Sequence, residues 1–153
     1  MRIVTVGDGL DWSCDALLGL GHAIRDLAGR SDKTFGKLER IARNLSQCRE
    51  HRPEYNTTPL VTPLLPPEQF PSLEVHRKAV CTALARVVAA VEREMVAARR
   101  DPSVTRSRDR SSDESFEWGV HDSPFITGVN DALHQLEDID IPSKVDDAFH
   151  ASR

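Results

Sequence analysis

The sequence predicts an all-α protein: a helical bundle of about four helices with a Pro-rich strap and a disordered mixed-charge linker. Three observations carry this. Apolar residues recur every three or four positions over most of the 153 residues, the spacing of one-faced helices. Six of the nine prolines fall between residues 51 and 71, so irregular backbone is concentrated in one segment. Beyond a short opening patch, no strand–helix alternation supports a doubly wound sheet.

That opening patch is Ile3, Val4 and Val6, read as one short strand ended by Gly7-Asp8-Gly9. Asp11 is then the expected cap of the first helix. Leu17, Leu20, Ile24 and Leu27 form its apolar stripe, and Gly29 is its expected stop. A second helix is expected from Ser31 or Asp32, with Phe35, Leu38, Ile41 or Ala42, Leu45 and Cys48 on one face. The short break between the two predicts an antiparallel hairpin over residues 11–50.

In the strap, residues 51–71, Leu60, Val61, Leu64, Leu65 and Phe70 are interleaved with prolines. A solvated linker has no need of five such side chains, so the strap is expected to lie across the helices. Residues 72–100 predict the longest helix, about 43 Å at 1.5 Å per residue. Leu84, Val87, Val91 and Met95 lie on its near-heptad seam, and Val75, Ala79, Ala83, Val88 and Ala90 widen the apolar surface. A helix this apolar is either the centre of the bundle or half of an interface, and these seam residues are the expected partner-binding set.

Residues 101–122 are polar and mixed in charge through most of their length, and are expected to form a flexible linker. Ser123-Pro124 opens a fourth helix carrying Ile126, Val129, Leu133 and Leu136. Residues 143–151 are expected to add a frayed turn or two, with Val145 and Phe149 their only large apolar residues. The expected organisation is a core over 1–100, the linker, and residues 123–153 packing on the core as a C-terminal helix and acidic tail.

Composition narrows the function classes. No apolar run approaches the roughly 18 residues of a membrane span. The first residues lack the pattern of a secretory signal, so the expected compartment is intracellular, cytoplasmic or nuclear. Cys14, Cys48 and Cys81 are odd in number and far apart, which argues against a disulfide framework or a zinc finger. The opening glycines resemble a phosphate-binding loop, but the lysine and hydroxyl of a P-loop do not follow.

His22 and Asp26 share one face of the first helix, as His134 and Glu137 or Asp138 share one face of the fourth. If these helices faced each other, the four side chains would suit zinc, iron or manganese. They lack the Glu-x-x-His pattern of di-metal bundles, and no cofactor is expected. Cys81 follows His76 by five residues, which turns the helix by about 500° and points the two side chains about 140° apart. A basic patch runs through Arg93, Arg99, Arg100, Arg106, Arg108 and Arg110, and could grip phosphate. The chain is nevertheless acidic, with a net charge of −4, and no aromatic residues interleave the arginines for base stacking. Arg100-x-x-Ser103 and Arg108-x-x-Ser111 resemble basophilic kinase sites. The reading these patterns favour is a non-catalytic interaction or regulatory protein, binding a protein partner or itself through the helix at 72–100. A small helical metal-binding protein or enzyme is the alternative, and an Arg-mediated nucleic-acid factor the third.

Overall fold

The computed structural model describes residues 4–29, 33–51, 58–61, 64, 69–100 and 124–151, without the side chains of residue 51 and residues 98–100. Among them are five helices: α1 (Val6–Ala28), α2 (Thr34–His51), α3 (Leu73–Arg100), α4 (Pro124–Glu137) and α5 (Ser143–Ala151). The all-α class is as expected.

The first helix begins six residues earlier than its sequence predicts, with its cap at Thr5 in place of Asp11. Thr5 is the N-cap: its hydroxyl accepts the Asp8 amide at 3.2 Å, and the Asp8 carboxylate accepts the Thr5 amide at 3.0 Å. This reciprocal capping box satisfies two of the donors that a helix start leaves without intrahelical partners. The glycines read as a turn therefore lie inside α1. Gly9 is useful there, because a Cβ at its position would come within 2.5 Å of Leu60 Cδ2. In place of the expected strand there is one antiparallel bridge, Thr5 with Pro59. It is closed by Val6 N–H to the Thr58 carbonyl and Leu60 N–H to the Val4 carbonyl, both at 2.8 Å.

That bridge fixes the described part of the strap to the start of α1. Of its described apolar residues, Leu60 and Phe70 are buried, whereas Val61 is 78% exposed. Leu65 lies outside the described residues, as do the linker and the sequence motifs within it. Gly29 ends α1 with φ at +98°, a conformation glycine adopts without steric cost, and its N–H reaches the Arg25 carbonyl.

The four long helices pack in a closed ring, α1 on α2, α2 on α4, α4 on α3 and α3 back on α1. α1 and α4 thus stand at opposite corners. Leu10, Leu17, Leu20 and Ile24 from α1 enter the core with Leu38, Ile41 and Leu45 from α2. Val80, Leu84, Val87 and Val91 come from α3, and Phe125, Val129 and Leu136 from α4.

α5 is more than a frayed turn. It packs on α1 and α3, buries Val145 and half-buries Phe149. Asp146 accepts the Leu73 amide at 2.7 Å, and His150 Nδ1 lies 2.8 Å from the Pro71 carbonyl. A second cap joins α3 to α4: Arg77 donates to the Leu136 and Glu137 carbonyls at 3.2 and 3.4 Å. Its guanidinium is aimed by Glu74, whose carboxylate accepts Nε at 3.1 Å. A cation at carbonyls freed by a helix C-terminus is favourable for both groups.

Candidate functional site

The residues expected to meet a partner divide sharply. Leu84, Val87 and Val91 are fully buried within the chain's own core, so they present no surface to another molecule. The physical reason is α3's place in the ring: facing both α1 and α4, it commits its seam to two neighbours. Met95 is half-buried against the core, and beyond Val91 the described side chains of α3 are otherwise exposed. Arg93 stands exposed among them. Arg99 and Arg100 end the helix, their side chains outside the described set, and Arg106, Arg108, Arg110, Ser103 and Ser111 lie outside the described residues.

The four candidate metal ligands are not brought together. His22 and Asp26 are exposed on α1, His134 and Glu137 on α4, and these helices occupy opposite corners of the ring. His22 is instead engaged locally. Its Nδ1 lies 3.1 Å from Arg25 Nη2, and its ring lies 4.9 Å from that of Phe35, over which Arg25 sits at 4.2 Å. His134 Nδ1 lies 3.9 Å from Glu137. Among the described residues, no three His, Cys, Asp or Glu side chains form a group able to hold a metal ion. His76 is buried and stacked on Phe70 at 4.9 Å.

Among the described residues, two of the clefts between helices stand out in volume. The one between α1 and α2 has a volume of about 640 Å³ and is lined by Asp11, Asp15, Leu18, Glu39 and Arg43, with Cys14 against its wall. Its charges are largely matched, Arg43 to Glu39 at 3.2 Å and the neighbouring Arg49 to Asp11 at 3.1 Å. Cys14 donates its thiol proton to the Ala42 carbonyl at 3.3 Å. Burial, with the nearby Asp11 and Asp15 carboxylates, pushes its pKa up to about 12. The thiolate needed for nucleophilic chemistry is thereby suppressed.

The second cleft lies between α2 and α4 and has a volume of about 470 Å³. Cys48 and Phe125 form apolar wall, while Asn44, Gln47 and Asp131 supply polar groups at the mouth. Gly128 lets α4 pack closely on α2 beside it, since a Cβ there would stand 2.5 Å from Cys48 Sγ. Burial raises the pKa of the Cys48 thiol, and Asp131 adds to the rise, so the thiol remains a neutral wall group. No protein-family model, curated protein or solved structure matches this chain.

Sequence reasoning passed over this cleft. Its one legible sign is Gly128 in the middle of a helical pattern, where glycine costs about 1 kcal/mol relative to alanine unless close packing offsets it. Nothing in the spacing says that the neighbour would be Cys48, eighty positions earlier. No helix among the described residues is long and apolar enough to cross a membrane.

Proposed function

We propose that the chain is a non-catalytic interaction protein that docks a protein partner, or a second copy of itself, on the C-terminal end of α3. The observation that supports this is where the helix outlasts its packing. Val91 is the last buried residue of α3 among the described side chains, yet the helix runs on to Arg100, about 13 Å further. Within that stretch Met95 is half-buried and Val96 is 37% exposed, flanked by Glu92, Arg93 and Glu94.

Isolated helix is marginal in water, and tertiary packing of an apolar face usually sustains it. The sequence offers this stretch no acid–base pair at i, i+4, the spacing that would stabilise it alone. A partner packing on Met95 and Val96 would supply the missing face. It also retains the long helix as the contact element while moving the contact away from Leu84, Val87 and Val91.

Native mass spectrometry at two concentrations, on the chain and on a Met95→Glu/Val96→Glu variant, tests the reading. A concentration-dependent dimer, or a purified partner complex, that the variant loses would support it. A complex that survives both substitutions would overturn it, as would a monomer whose partner complexes never form.

A further inference from the structure

We propose that the cleft between α2 and α4 binds a small primary amine carried on an apolar stem. This site is separate from the end of α3 and does not depend on what docks there.

Three features of the cleft select that chemistry. Its volume, about 470 Å³, falls within the roughly 300–1,000 Å³ typical of small-ligand sites. Part of the wall is apolar: Pro124, Phe125, Gly128 and the half-buried Cys48 line it together. An aromatic or branched alkyl stem can lie against that part. At the mouth, the lining holds one charged side chain among the described residues, Asp131, accompanied by the carboxamides of Asn44, Gln47 and Gln135. An ammonium group has three protons to donate, and a carboxylate beside amide oxygens accepts them.

The sign of the charge is not trivial, because α4 begins at the same cleft and a helix N-terminus favours anions. That effect amounts to about half an elementary charge and fades within the first turn. Asp131 brings a full negative charge, seven residues into the helix. Asp131 and Cys48 line this cleft from its two helices. An anionic ligand would meet that carboxylate, and a neutral one would leave it without a counter-charge.

The experiment titrates 4-phenylbutylamine and its uncharged counterpart 4-phenylbutan-1-ol into the isotopically labelled full chain at pH 7, following backbone amide resonances. The expected result is saturable shifts centred on Cys48, Gly128 and Asp131, with the amine binding about fivefold more tightly than the alcohol, the yield of an exposed ion pair near 1 kcal/mol. Asp131→Asn, at an exposed position, should bring the amine down to the alcohol's affinity. Absence of shifts at these residues would overturn the proposal, and so would equal binding of amine and alcohol or an amine affinity indifferent to Asp131→Asn.

Discussion

The carboxylate of Asp146 in α5 accepts the backbone amide of Leu73 in α3 at 2.7 Å. A residue of the shortest helix thus supplies the cap of the longest, from 73 positions away in the chain. Ser72 caps the same turn locally through the Val75 amide at 3.1 Å, so the first turn of α3 has one near and one distant acceptor. Asp146→Ala should cost roughly 1 kcal/mol, the usual value of a lost cap. For a chain of this size that lowers the melting temperature by about 2–4 °C, measurable by circular dichroism. Lys144→Ala, on an exposed side chain of the same helix, should leave it unchanged. Equal loss from both substitutions would show that α5 helicity, rather than the cap, is being measured.

Gly128 and Cys48 set how closely α4 approaches α2. Gly128→Ala drives a methyl group to within 2.5 Å of the Cys48 sulfur, so the Cys48 side chain or one of the helices must shift. Overpacking of this kind costs about 1–3 kcal/mol. Removing the sulfur with Cys48→Ala in the same chain should recover most of that loss. Chemical denaturation of both single variants and the double variant gives the coupling energy. Simple additivity would mean that the alanine at 128 is accommodated elsewhere.

The half-buried thiols make stability fall in alkali. Cys14 has its pKa raised from 9.0 to about 12, chiefly by burial and then by the Asp11 and Asp15 carboxylates. An acid whose folded pKa lies above its unfolded value holds its proton longer in the native state. Its contribution is therefore whole below pH 9 and is lost as the pH rises from 9 towards 12. Cys48 and Cys81 are shifted in the same direction, again mainly by burial. Urea midpoints measured from pH 7 to pH 11 should decline more steeply for the unaltered chain than for Cys14→Ala. Alkylation at pH 8 should also reach Cys14 much more slowly in the native chain than in urea, as peptide mass spectrometry would read. Equal labelling rates in the two states would contradict the burial of this thiol.

Periodicity made the main helices legible because it encodes which face must leave water. Leu17, Leu20 and Ile24, Leu38 and Leu45, and Val129 and Leu136 are all buried as their spacing implies. What spacing does not encode is which partner each stripe meets. The seam of α3 at Leu84, Val87 and Val91 has the same pattern whether a neighbouring helix or another molecule covers it, and here the chain covers it. The start of α1 was hidden for a different reason. Propensity counts Gly7 and Gly9 against a helix, whereas the capping box at Thr5 and the close approach of Leu60 outweigh that local cost. The α2–α4 cleft was hidden because it is made by two residues, Cys48 and Gly128, that only tertiary packing brings together.

The strap offers the sharpest test of how its described part is held. Leu60 is 5% exposed, anchored by its N–H to the Val4 carbonyl, and fills the space that Gly9 leaves open. Val61, its neighbour, is 78% exposed. Leu60→Ala should cost roughly 2–5 kcal/mol, because the lost methyl groups leave a cavity between Gly9 and Val87 that the helices cannot close without moving. Val61→Ala should fall within about 0.5 kcal/mol of the unaltered chain, as surface changes away from special contacts do. Placing Gly9→Ala on the Leu60→Ala background should then regain part of the loss, since the new methyl group enters the vacated space. Denaturation curves for the three variants decide the matter. Similar costs at Leu60 and Val61 would mean that the main-chain bridge between Thr5 and Pro59, rather than the buried leucine, holds this stretch to the bundle.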